Sequence, residues 1–218
     1  MATADSTLLD VTPMLRPGAV IAKRLFDVAV ASVAIVLLAP LLLALMVAVW
    51  IESPGNPIFV QERLGQFGRR FRLYKLRTMV LGAEQRRDEV EHLNESTWPL
   101  FKARSDPRVT RVGRFLRAAS LDEFPQLVNV LKGDMSIVGP RPRLPAEFKD
   151  VMQRPDIVRR LTAKPGLAGV WQVSGRAHND FEEALELDLY YIDHWSFRFD
   201  LELVARTFWV VLNAHGAY

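Results

Sequence analysis

Val28–Ile51, reading VAVASVAIVLLAPLLLALMVAVWI, runs for 24 residues without a charge. That length crosses the hydrocarbon core of a bilayer, which takes about 20 residues of helix. The competing reading is a buried core helix, and so long an uncharged run favours membrane contact. Pro40 stands near its middle, where it removes one backbone donor and crowds the preceding turn, so a kink is expected there. Two geometries follow: a kinked span, or a helix that enters, bends at Pro40 and leaves by the same face. Each half is only about 17 Å long and cannot cross alone. Arg16, Lys23 and Arg24 precede the run, while Arg63, Arg69 and Arg70 follow it. With cations on both flanks there is no charge asymmetry, and both ends suit the cytoplasmic side. On charge the re-entrant geometry is favoured.

Working outward, residues 1–20 form a polar tail broken by Pro13 and Pro17, without the pattern of a signal peptide. Residues 21–52 make the membrane helix, and 53–218 are left for one domain. The 218 residues are half hydrophobic and carry a net charge of +3. That balance is compatible with anionic lipid, nucleic acid or phosphorylated substrates and selects none of them. There is no cysteine, and the four histidines are scattered, which excludes disulfides and thiolate sites and argues against a histidine-rich zinc centre. After the turn cluster Ser53-Pro54-Gly55-Asn56-Pro57, the runs IFVQERL and RRFRLYKL with Gly65 and Gly68 between them predict a β-hairpin. Gly82–Ser96 reads as an exposed helix, and Phe148–Leu161 as a helical segment interrupted by Pro155. Short strands are expected at Ser136–Val138 and Leu167–Val173, and amphipathic helices at Phe181–Tyr191 and Phe197–Leu212. The last could lie in the membrane interface. The fold class is therefore α+β: an N-terminal re-entrant membrane helix kinked at Pro40, and a small cytoplasmic-face domain with interfacial amphipathic helices.

The chemistry concentrates in Arg117–Pro142, RAASLDEFPQLVNVLKGDMSIVGPRP. Adjacent carboxylates, Asp122 and Glu123, lie between arginines, and the stretch ends in the stiff Gly139-Pro140-Arg141-Pro142. Acids able to hold a metal or attack phosphorus, beside cations able to hold phosphate, suggest phosphoryl transfer. A plain structural account competes with it. Ser120 and Glu123 fit a capping box, or Asp122 caps a helix with Pro125 in its first turn. In either register the positive end of the helix dipole would keep the acids ionised and could also receive a phosphate.

The segments KRLFD, YKLRTM, DPRVTRVGRFLR, SLDEFPQLVNVLKGDMSIVGPRP, KPGLAGVWQVSGR and LDLYYIDHWSFRFDL, in this order, resemble the bacterial sugar transferase family, the monotopic polyprenyl-phosphate phosphoglycosyl transferases. The resemblance runs from Lys23 to Tyr218 and corresponds to the small catalytic core of the longer members. It implies an enzyme of the bacterial inner membrane, with its catalytic domain on the cytoplasmic face. Such an enzyme passes a sugar 1-phosphate from a UDP-sugar to polyprenyl (undecaprenyl) phosphate and releases UMP, in the initiation of exopolysaccharide synthesis. It further implies Asp122 as the nucleophile of a covalent aspartyl-phosphosugar intermediate. Glu123 would be a ligand of Mg2+, with Asp122 beside it as a second oxygen donor. Lys75, Arg117 and Arg141 match positions near the phosphates or the nucleotide, and Pro140-Arg141-Pro142 matches a motif tied to uridine. Trp171-Gln172 and the C-terminal Gly-Ala-Tyr resemble members that transfer a hexose, glucose or galactose. Three positions depart from the family pattern. Ala39-Pro40 stands in place of Ser-Pro, Phe124 in place of leucine, and Leu167-Ala168-Gly169 in place of Ile-Thr-Gly. The expected partners are the UDP-sugar, polyprenyl phosphate and the lipid bilayer; a homodimer is left open. One rival is a non-catalytic basic module that binds the membrane surface. Nucleic-acid binding is not expected, because the apolar run has no place in it.

Overall fold

The computed structural model describes residues 16–95, 103, 105–174 and 181–212. Most of the expected N-terminal tail, and Ser96 at the end of the helix expected over Gly82–Ser96, lie outside them. Helix α1, Pro17–Glu52, opens with proline at its first position, where no N–H is missed, and continues without interruption past Pro40. One face presents Lys23, Asp27, Ala31, Leu45 and Val49 to the rest of the protein. The opposite face leaves Val33, Val36, Leu37, Leu43, Val47, Trp50 and Ile51 exposed. Within its most apolar 18-residue window only 6% of the positions are buried, so this is not the core helix of a soluble domain.

Both halves of α1 rest on the same body. Before Pro40, Phe26, Val30, Ala34, Ile35 and Leu38 pack with Ala31 against a core that includes Leu127, Val130, Met135, Ile137, Tyr191 and Leu203. After it, Leu42, Leu45, Met46 and Val49 pack against Ile58, Leu76, Val112 and Leu116.

The hairpin forms as expected. Strand β1 (Ile58–Leu64) pairs antiparallel with β2 (Arg70–Leu76), Ile58 opposite Leu76 and Leu64 opposite Arg70. Gly68, at φ +73, takes the left-handed turn between them. The alternation turns Phe71 and Leu73 inward. The single turn α2 (Arg87–Val90), continued by a 3₁₀ turn at Glu91–Leu93, replaces the longer exposed helix expected over Gly82–Ser96. Then come α3 (Arg111–Ala118) and α4 (Gln126–Lys132). Strand β3 (Ser136–Val138) pairs in parallel with β4 (Gly166–Ala168).

Two further expectations change. Pro155 does not interrupt a helix; it begins one, α5 (Pro155–Arg160), at the position where proline fits best. The strand expected over Leu167–Val173 ends at Ala168, and Val170–Val173 turns into the short helix α6. Helices α7 (Phe181–Asp193) and α8 (Phe197–Leu212) are the last described elements, with Leu185 and Leu203 inward.

Glycines decide how closely β3 and β4 lie. A Cβ on Gly139 would fall 2.3 Å from the Lys164 carbonyl oxygen, and one on Gly166 would fall 2.0 Å from the Gly139 nitrogen. Only bare backbone permits this approach, and it sets the start of the Gly139–Pro142 loop against Lys164–Gly166.

Candidate active site

Asp122 and Glu123 occupy a 3₁₀ turn, Leu121–Glu123, between α3 and α4. The bend is made at Ser120, whose backbone is left-handed at φ 56 and ψ 21, an uncommon conformation for a residue with a Cβ. Neither expected cap forms. Ser120 makes no side-chain cap, and the residue preceding α4 is Pro125, not Asp122. The dyad is thus carried on a turn of its own.

Three elements bring cations to it. From β2, Lys75 Nζ donates to Glu123 Oε1 at 3.1 Å and lies 3.9 Å from Asp122 Oδ2. From the loop after β3, Arg141 Nη2 reaches the same Glu123 oxygen at 3.4 Å. From α3, Arg117 donates through Nε to Thr78 Oγ1 at 2.9 Å, and its charge is felt by Asp122. Pro140, next to Arg141 in the chain, is buried. Pro142 lines a pocket together with Arg63, Leu73, Lys75, Glu123, Gln126, Arg141 and Gly166. All seven sequence-predicted residues therefore fall in one neighbourhood. A wider hollow at Lys149–Arg154 lacks this convergence. Its Arg154 is engaged on the surface with Asp156 and Glu182.

Burial pushes the Asp122 carboxyl above the usual carboxylate range; Lys75 pulls it down and Glu123 pushes it up, with Arg117 and Arg141 pulling more weakly. The expectation that a helix dipole governs this acid thus gives way to a balance between desolvation and nearby cations. Among the described residues no three His, Asp or Glu side chains stand together, so an all-protein metal cage is absent there. Two neighbouring carboxylates are nevertheless a donor set that suits Mg2+ when substrate phosphates supply further oxygens.

Sequence reading missed the support behind these groups. Arg63, read there as a charge flanking the membrane, is turned inward. Its Nη1 donates to Pro142 O and its Nη2 to Gln61 Oε1, and burial lowers its pKa to about 10. Arg160 donates to Arg141 O at 2.6 Å and pairs with Asp188 at 2.8 Å, and both side chains are buried. The Arg141 guanidinium lies over the Trp171 ring, 5.2 Å from its centre. The apolar neighbours Ile157, Val158 and Leu161 around the Arg159-Arg160 pair were the available sign that one of the two is buried.

The model of the bacterial sugar transferase family matches residues 18–214. The chain belongs to this family. It is 42% identical over 199 residues to the galactosyl transferase CpsE of Streptococcus agalactiae, covering 90% of this chain and 43% of that protein. It is 37% identical over 211 residues to the exopolysaccharide production protein ExoY of Rhizobium meliloti, covering 95% and 92%. A UDP-glucose:undecaprenyl-phosphate glucose-1-phosphate transferase of Caulobacter vibrioides is 42% identical over 213 residues, covering 94% and 75%. The chain thus spans less than half of the first of these relatives and nearly all of the second.

Proposed function

We propose that this sugar transferase moves a hexose 1-phosphate, from UDP-glucose or UDP-galactose, onto undecaprenyl phosphate at the cytoplasmic face of the inner membrane, and so initiates exopolysaccharide synthesis. The observation that carries the reading is the convergence of Lys75, Arg117 and Arg141 on the Asp122–Glu123 turn. A site for diphosphate chemistry needs anion-holding cations around a nucleophile, because electrostatic stabilisation is most of what phosphoryl transfer requires.

In the proposed sequence, an Asp122 carboxylate oxygen attacks the β-phosphorus of the UDP-sugar. The bond from that phosphorus to the bridging oxygen breaks, and UMP departs with the electron pair. An oxygen of undecaprenyl phosphate then attacks the same phosphorus, and the Asp122 carboxylate is released. No proton transfer is required in either half. Burial serves this role, since a poorly solvated carboxylate is the stronger nucleophile, while Lys75 holds it toward the ionised form. Arg141 and Lys75, which contact Glu123, exchange that carboxylate for phosphate oxygens. Glu123, with Asp122 beside it, would hold Mg2+, whose part is to neutralise charge on the diphosphate.

The seat in the membrane is the re-entrant helix, bent at Pro40, with α8 lying at the interface. Two features support it: both halves of α1 pack on one body, and α8 exposes Phe197, Leu201, Phe208 and Trp209. The test is direct. Membrane-bound protein with Mg2+, UDP-glucose or UDP-galactose, and undecaprenyl phosphate should release UMP and form a lipid-linked sugar diphosphate. Absence of UMP with every common UDP-sugar would sink the proposal.

A further inference from the structure

Away from the dyad, at the far end of α4, two cations converge on Gly133. Arg24 stands four residues before the apolar run, and donates to the carbonyls of Val130 at 2.6 Å and Leu131 at 2.7 Å. Lys164, in the loop before β4, reaches the same place. A Cβ added to Gly133 would lie 3.7 Å from the Arg24 guanidinium and 3.8 Å from Lys164 Nζ. Gly133, left-handed at φ +86, puts no side chain between them. Lys164 Nζ makes no hydrogen bond or ion pair with any described residue.

The plain reading is that Lys164 complements the carbonyl end of α4, as cations commonly do. A cation doing only that would hold its proton more tightly. Instead, burial lowers the affinity of Lys164 for its proton, and Arg24 lowers it further, against the weaker pull of Asp27 and Asp134. The ammonium thus sits partly withdrawn from solvent beside a second cation, a setting that an anion would relieve. Two cations converging beside a residue with no side chain suit a phosphate. The setting selects its source: Ile21 and Leu25, which flank Arg24 on α1, are 62% and 68% exposed, and offer an apolar seat to acyl chains.

We propose that Lys164 and Arg24 together hold the headgroup phosphate of an anionic phospholipid at the point where α1 leaves the catalytic body. This rests on the membrane seat inferred above. The site is distinct from the dyad, because α4 separates them. It would fix the depth at which the domain rides, through a lipid that is neither donor nor acceptor.

The test uses the whole protein in a zwitterionic detergent, titrated with dihexanoyl phosphatidylglycerol or dihexanoyl phosphatidylcholine and followed by Tm. Phosphatidylglycerol should raise Tm, phosphatidylcholine should not, and Lys164→Gln should weaken the phosphatidylglycerol response about fivefold, near the contribution of one lysine at an anionic surface. Without lipid, Lys164→Gln should melt no lower than wild type, and Lys164→Arg should retain the response. A drop in Tm without lipid, together with an unchanged lipid response, would show a structural lysine and overturn the proposal. Equal protection by inorganic phosphate would overturn it in favour of a soluble anion, and Lys164-dependent protection by undecaprenyl phosphate alone in favour of the acceptor. UMP release is read in parallel. A chain that transfers sugar but shows no Lys164-dependent lipid effect sinks only this inference, and the converse result sinks only the transferase reading.

Discussion

Asp122 concentrates the conflict between chemistry and stability. Burial raises its proton affinity, so in the window above the ordinary carboxylate pKa the folded state binds more protons than the unfolded one. Stability therefore falls as pH rises through that window, and the penalty is complete once the folded carboxyl has ionised. Asp122→Asn should accordingly abolish transfer and the covalent adduct, by at least about 10³-fold, while raising Tm at neutral pH. The gain should be roughly 2–4 °C for each kcal/mol relieved, and smaller at pH 5 than at pH 7.5. Paired activity and thermal-shift measurements check both halves, and an adduct surviving in this variant would place the nucleophile elsewhere. Glu123→Gln should behave differently. It leaves the proposed nucleophile in place and removes the carboxylate that Lys75 and Arg141 both contact. Its effect should appear as a several-fold higher Mg2+ requirement, read by titrating the metal at fixed UDP-sugar.

At the level of elements, α3 shows how finely the site is set. Gly113 lies flush on β2's exit: a Cβ there would stand 2.0 Å from the Thr78 carbonyl oxygen. The far end of α1 reaches the same helix, with Glu52 accepting from the backbone N–H groups of Arg111 and Val112 at 2.8 Å each. Gly113→Ala must push α3 off Thr78 and carry Arg117 with it. It should destabilise the protein by about 1–3 kcal/mol, seen as a lower Tm, and weaken UDP-sugar binding, seen as a raised KM. Nothing in the local pattern of RVGRFLRA announces that close approach. Periodicity revealed the hairpin, because Phe71 and Leu73 alternate with arginines, and it revealed α1 and α7 by length and apolar spacing. It overstated the strand at Leu167–Val173, since after Gly169 the residues Val-Trp-Gln-Val suit a short helical turn as well as a strand, and tertiary context decided. The dyad was legible as chemistry, and the competing cap does not form, because the left-handed Ser120 that bends the chain has no signature in sequence. Arg63 and Arg160 look like any surface arginine until the fold buries them.

Across the whole molecule, α1 is latched to one body near both ends. Near its start, Lys23 pairs with the buried Asp200 at 2.6 Å, and Tyr191 and Trp195 donate to the same acid. Asp27 accepts from Ser136 Oγ and from the Ile137 N–H, each at 2.9 Å. At its end, Glu52 caps α3. A helix crossing to the far side of a bilayer would leave one of these latches in the wrong compartment. A buried carboxylate stripped of its ammonium would cost several kcal/mol, well above the worth of an ion pair on the surface. Both ends are therefore expected on the same face, with the exposed stripe Val33, Val36, Leu37 and Leu43 buried in lipid between them. The chain has no cysteine of its own, so single replacements report cleanly. Val20→Cys and Asn56→Cys should both resist a membrane-impermeant maleimide applied from the periplasmic side of intact cells, and both should react in inverted vesicles. Labelling of Val20→Cys from outside, with Asn56→Cys protected, would mean that α1 spans. The Lys23–Asp200 pair and the Glu52 cap on α3 could not then coexist in the membrane.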